Sequence, residues 1–153
     1  MWLLILGLLL LPVLLVAIAI GLNRPPLFHA PGPSARLAVY LRENVAVTAD
    51  QHPHAELITP TYLVSSSQLK GALRQAMVHL NWRLVEQDDG VIRAEVTTPL
   101  LHFVDDVEAR VEAIDGGSRL HLRSASRVGR ADFAANQRHL LDLLERLSVA
   151  LTS

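Results

Sequence analysis

Two runs of alternating residues, 104–114 and 119–128, meet at Asp115-Gly116-Gly117-Ser118, and this junction constrains the chain more than any other feature. Alternation with a period of two marks strands with one buried and one solvated face, and a Gly-Gly turn joins such strands as an antiparallel hairpin. A turn centred on Gly116-Gly117 places Ile114 opposite Arg119, Glu112 opposite His121, Arg110 opposite Arg123, Glu108 opposite Ala125 and Asp106 opposite Arg127. That face is polar. The reverse face sets Val107, Ala109, Val111 and Ala113 against Ser126, Ser124, Leu122 and Leu120. A slip of one residue would turn the apolar set to water, so the facing is strongly specified.

The same hairpin sorts the residues of "RSASRVGR", 123–130. Arg127 is expected to pair with Asp106, and Arg123 to lie diagonally between Glu108 and Glu112. Exposed pairs of this kind contribute about 0–1 kcal/mol each. Asp105 points to the core side, where a carboxylate needs donors or a cation. Ser124 and Ser126 point the same way, and their small size leaves room. Gly129 and Arg130 form the turn into a last helix capped by Asp132. Asn136 falls on that helix's inward stripe, between Phe133 and Leu140. Asp105, Ser126, Asn136 and the Gly129-Arg130 backbone therefore meet as one polar cluster at this end of the sheet. It is either an open ligand pocket or a hydrogen-bonded clamp fastening the helix to the hairpin, and the clamp is the expected form.

Upstream, "AELITPTYLV" (55–64) predicts an edge strand, since Pro60 would interrupt a central one. Ser65 to Gln68 is a capping-box pattern, opening a helix with Leu69, Ala72, Leu73, Ala76, Met77 and Leu80 on one stripe. Asn81 stops it. A strand over Trp82–Gln87, a turn at Asp88-Asp89-Gly90 and a strand over Val91–Thr98 follow. The last helix carries Leu140, Leu143, Leu144, Leu147 and Leu151. This order predicts an α+β domain over 55–153. It is a small antiparallel sheet, a meander of four or five strands, with two helices packed on one face.

Trp2 to Leu22 is a charge-free apolar run, about 31 Å long as a helix. It predicts an N-terminal transmembrane helix, a single-pass anchor over 1–23. The competing reading is a cleaved signal peptide with Ala17-Ile18-Ala19 as its small-x-small site, but no Lys or Arg precedes the run. Residues 24–54 read as a linker. Four prolines in 24–34 stiffen its start, and Ser34 caps a short amphipathic helix carrying Leu37, Tyr40 and Leu41. Arg24, Arg36 and Arg42 follow the span, which by the positive-inside rule favours a cytoplasmic domain.

Composition enters mainly by exclusion. Cysteine is absent, which excludes disulfides, thiolate metal sites and a cysteine nucleophile. A net charge of −1 and few aromatics argue against nucleic acid as a partner. Five arginines between 119 and 138 stand against Asp132 alone. A solvated face is the default reading, and an anionic headgroup or acidic partner the sharper one. His52-Pro53-His54 lacks a ligand-spaced partner and reads as surface, and His102 reads as a satisfied structural histidine, with orientation of Asp105 the alternative. No nucleophile elbow, phosphate loop or dinucleotide fingerprint occurs, so no catalytic residue, metal or cofactor is expected.

"TTPLLHFVDDVEARV" (97–111) followed by "GGSRLHLRSASRVGRADFAANQRHLLDLL" (116–144) resembles the bacterial and plastid family called domain of unknown function 1499. The residues that carry the resemblance are Asp105-Asp106, the Arg123 to Gly129 run, Asp132 and Asn136. Phe133-Ala134 stand where the family often has Leu-Gly. The resemblance implies no established reaction. It implies an envelope protein, tethered to the bacterial inner membrane with its domain on the periplasmic side, against the positive-inside reading. The expected function is a membrane-anchored, non-catalytic accessory or binding domain whose partner is another membrane protein, a complex or an anionic lipid. The alternative is an envelope hydrolase using the Asp105, Arg127 and Asn136 end of the sheet.

Overall fold

The computed structural model describes residues 2–85, 90–98 and 102–152. Helix α1 spans Trp2–Asn23 and α2 Pro33–Tyr40. Strand β1 is Val45–Val47, followed by a 3-10 turn at Ala55–Leu57 and strand β2 at Thr61–Tyr62. Helix α3 covers Ser66–His79. Strands β3 to β6 are Arg83–Val85, Ile92–Thr97, Val104–Ile114 and Gly117–Ser126, and α4 is Ala135–Thr152.

The architecture is α+β, with an antiparallel sheet in the order β1-β6-β5-β4-β3 and β2 also paired to β6. The C-terminal meander matches expectation. The six-strand total does not, because β1, from the segment read as linker, joins β2 on the free side of β6. Residues 55–64 form a short turn and a two-residue strand rather than one long edge strand. Pro60 leaves the segment no N–H at that position, and the Pro60 carbonyl instead accepts from Leu120 N at 3.0 Å. Of the expected Asp88-Asp89-Gly90 turn, Asp88 and Asp89 lie outside the described residues, as does the Gln87 end of the strand before it.

The hairpin keeps the expected facing but in a register two residues away. Ile114 pairs with Gly117, Glu108 with Arg123, Asp106 with Ala125 and Asp105 with Ser126. The turn is therefore Asp115-Gly116, with Gly116 at φ +75°. Gly117 belongs to β6, and its role is different. A Cβ there would overlap the Tyr62 carbonyl oxygen, so only glycine lets β2 close in. Sliding by two preserves which face each side chain takes, so the apolar set stays inward.

The core lies between that apolar face and α3 and α4. Leu69, Leu73, Ala76 and Met77 of α3 and Leu140, Leu143 and Leu147 of α4 are all buried against Val107, Leu120 and Leu122. The Ser65–Gln68 capping box is present, with Gln68 N donating to Ser65 Oγ and Ser65 N donating to Gln68 Oε1.

Among the described residues no helix is long and apolar enough to cross a membrane, and the expected N-terminal transmembrane helix is corrected accordingly. The apolar run does form a helix, but its last turns lie against the domain rather than extending away from it. Val16, Ala19, Ile20 and Asn23 are half-buried at helical spacing. Asn23 Nδ2 donates to the Phe133 carbonyl at 2.8 Å. The segment read as linker also enters the fold. Arg36 and Tyr40 are buried, and β1 extends the sheet.

Candidate functional site

Of the expected polar cluster, Ser126 and Asn136 meet, joined by Ser124 in a closed arrangement, while Asp105 is bonded apart from them to His139. Ser124 Oγ donates to Asn136 Oδ1 at 2.5 Å, while Asn136 Nδ2 donates to Ser126 Oγ and to the Asn44 carbonyl, both at 2.8 Å. Ser124 and Asn136 have no solvent exposure. One amide thus joins β6, the start of β1 and α4. Asn44 adds a second tie, its Nδ2 donating to the Gly129 carbonyl at 2.6 Å. Gly129 sits at φ +94°, turning the chain toward α4. Asn44 was legible only as part of a polar connector.

Asp132 lies three residues before α4 rather than at its N-cap, because Phe133 and Ala134 take left-handed conformations and the helix opens at Ala135. Its two carboxylate oxygens accept from Ala134 N at 2.9 Å and Asn136 N at 3.0 Å. Burial raises its pKa, and the Asn136 and Ala134 hydrogen bonds only partly oppose that. Ala134 is buried at φ +72°, a left-handed conformation that a glycine would adopt without strain.

Asp105 is 1% exposed, sealed beneath α4. Its Oδ2 meets His139 Nε2 at 2.9 Å, and its Oδ1 has no hydrogen-bond partner among the described residues. His139 in turn packs edge-on against Trp82. His102, for which orienting Asp105 is only the alternative reading, is exposed at φ +54°, and His139 on α4 meets Asp105 instead. Spacing along β5 pointed to the near histidine, whereas the packed helix supplies the far one.

Asp106, Arg123, Arg127 and Arg130 belong elsewhere. Arg127 lies on the outer sheet face and donates to Asp106 through Nε at 2.9 Å and Nη2 at 2.6 Å, and to Glu95 at 2.7 Å. The Arg127 guanidinium holds the Asp106 carboxyl below its ordinary range. With Arg83 it does the same to Glu95, and both acids raise Arg127. Arg123 and Arg130 are exposed. The ten candidate residues therefore divide between a buried clamp, a charged outer face and a helix-entry turn, with no shared cavity.

Open space lies elsewhere. A cleft of about 270 Å³ lies between α2, β1, the His52-Pro53-His54 loop and the start of α4. Behind it is a charged centre that no local sequence pattern singles out. Arg36, fully buried, donates to Glu56 Oε1 at 2.6 Å and Oε2 at 3.1 Å, to Tyr40 Oη at 3.3 Å and to the Ala30 carbonyl at 2.6 Å. Gln137 Nε2 donates to Glu56 Oε1 at 2.7 Å. Burial alone would raise the Glu56 carboxyl, but the Arg36 hydrogen bonds and charge hold it below its ordinary value. Ser34 is not the N-cap expected, since α2 opens at Pro33 behind Gly32, and an arginine in the first turn of a short helix usually faces solvent, so burial of Arg36 could be inferred only from a distant partner.

His54 is buried against this centre, edge-on to Tyr40, and its Nδ1 has no partner among the described residues. Burial, then the Arg36 charge, lowers its pKa. The folded state thus resists protonating His54 while the unfolded chain accepts the proton at about pH 6.5. Its contribution is full above that pH and is lost as pH falls toward the depressed folded value. Urea melts between pH 7.5 and 5 should show stability falling with pH, and His54→Gln should flatten that slope. An unchanged slope would remove His54 from the explanation.

Among the described residues no group of three or more His, Asp or Glu side chains is placed to hold a metal ion. No curated protein matches the chain. Residues 36–147 match a family described as "Protein of unknown function (DUF1499)". That match opens on the buried Arg36, spans β1 to β6 and reaches Leu147 in the core, covering the sheet, the clamp and the cleft together. The chain belongs to the DUF1499 family.

Proposed function

We propose that this chain is a non-catalytic binding domain that takes its ligand in the cleft beside β1. The closure of the Asp105, Ser124, Ser126 and Asn136 cluster supports this reading. A hydrolase needs its acid or base within reach of a bound substrate. Asp105 and Asn136 are sealed, while Arg127 lies on the opposite face of the sheet. The cleft instead combines the exposed apolar side chains of Val39, Val45 and Val47 with the polar groups of Tyr40, Glu43 and His54. An apolar lining with a few convergent polar groups suits recognition.

An anionic lipid is the poorer fit. Arg127 is engaged by Asp106 and Glu95, Arg119 by Asp50 and Arg138 by Asp142. The purified chain is expected to turn over none of a panel of ester, amide, phosphate and glycoside substrates. Turnover abolished in a folded Asp105→Asn variant would overturn the reading.

A further inference from the structure

Resting on that reading, we propose that the cleft binds an extended, positively charged peptide of a partner protein as an added strand beside β1. Val45 lies opposite Ala125, Ala46 opposite Ser124 and Val47 opposite Arg123. Thr48 N donates to the Leu122 carbonyl, and Ser126 N to the Asn44 carbonyl. In an antiparallel pair, hydrogen-bonded and non-hydrogen-bonded positions alternate. Asn44, Ala46 and Thr48 therefore direct their backbone groups at β6. Val45 and Val47 direct theirs the other way, off the end of the sheet.

The next outward-facing residue shows what that lane accepts. Ala49 N donates to the Leu57 carbonyl at 3.1 Å, and Thr59 N donates to the Ala49 carbonyl at 3.2 Å. Residues 57–59 thus run beside β1's continuation as a strand would. Among the described residues Val45 and Val47 pair with no strand but β6 and make no backbone hydrogen bond on their outer side, and the cleft opens beside them. Unpaired N–H and C=O groups on a sheet edge are a template for another extended chain.

Charge selects the occupant. Glu43 and Asp132 line the cleft, and none of its lining residues is Lys or Arg. Val39, Val45 and Val47 offer contact to β-branched or aliphatic neighbours in the same strand. The fitting ligand is a short extended segment carrying a lysine or arginine among β-branched residues.

The test is selection of a random heptapeptide display library against the full chain, followed by binding of the enriched sequence as a synthetic peptide. The peptides are expected to carry Lys or Arg flanked by β-branched residues. Bound peptide should slow amide hydrogen exchange at Val45 and Val47. Glu43→Lys, a change at an exposed side chain, should weaken binding about tenfold or more. Val47→Pro removes one outward N–H without removing a bond to β6, and should abolish binding with the melting temperature retained. If that variant melts early, N-methylation of alternate peptide amides supplies the same test from the ligand side. Enrichment of acidic peptides, no enrichment, or binding without protection of Val45 and Val47 would each overturn the proposal. So would concentration-dependent dimerisation lost in Val47→Pro, which would assign the edge to a second copy. Ligand-induced shifts at Val39 and His54 without edge protection would refute the added strand alone. Turnover lost in Asp105→Asn would instead refute the binding-domain reading beneath it.

Discussion

Replacing Arg36 with methionine is expected to destabilise the fold by about 3–5 kcal/mol, the usual cost of removing one partner of a buried ion pair. The guanidinium is fully buried, and it donates to the His29 and Ala30 carbonyls, to Tyr40 and to both oxygens of Glu56. Without it, Glu56 keeps only the Gln137 amide among these contacts, and the Ala30 carbonyl loses its donor while the His29 carbonyl keeps Gly32 N. Urea unfolding at pH 7 measures the loss. Pairing Arg36→Met with Glu56→Gln should recover part of it, because the double variant leaves no unpaired charge. The pH dependence gives a second readout. Glu56 is held below its ordinary value in the fold, so its contribution is present above about pH 4.5 and is lost as pH falls through the folded pKa. That acid-sensitive component should disappear in Arg36→Met. Arg130→Ala, at an exposed position, should stay within about 0.5 kcal/mol. Equal effects at 36 and 130 would deny Arg36 its place in the core.

Asn136→Leu is expected to lower stability by about 2–4 kcal/mol. Leucine has nearly the right size, so the loss comes from stranded partners rather than a cavity. Ser124 Oγ, Ser126 Oγ and the Asn44 carbonyl each lose a bond in a largely buried site. Native-state hydrogen exchange should show that loss at the junction of α4 with β6. Asn136→Asp is the informative companion. It can still accept from Ser124 but cannot donate to Asn44, and it sets a second carboxyl beside Asp132. Asn136→Leu with unchanged stability would make the amide an accessory rather than the fastening of α4.

The alternation in 104–128 and the leucine stripes were legible because they repeat within a few residues. They correctly placed the buried faces of β5, β6, α3 and α4. The register was not legible. Asp115-Gly116 and Gly116-Gly117 are both plausible turns, and the choice depends on the backbone of Tyr62, far away in sequence. The clamp was partly legible, because Ser124, Ser126 and Asn136 share one side by local periodicity. Asn44, His139 and the Arg36–Glu56 pair were not, since each acts through a partner that no local pattern indicates. The apolar N-terminal run was legible as a helix. Its spanning role was not supported, because hydropathy records the transfer preference of a segment and not what the segment packs against.

The placement of β1 also bears on how the chain is assembled during synthesis. Val45 finds its partner Ala125 roughly eighty residues later. At translation rates of about 5–20 residues per second, β1 leaves the ribosome several seconds before the strand it must join. Over that interval the Arg36 helix and β1 have no sheet to dock on. Closure of so long a loop is also a slow, non-local step. The nascent N-terminal third is therefore the window in which a chaperone has most to protect, and it shuts when β6 emerges.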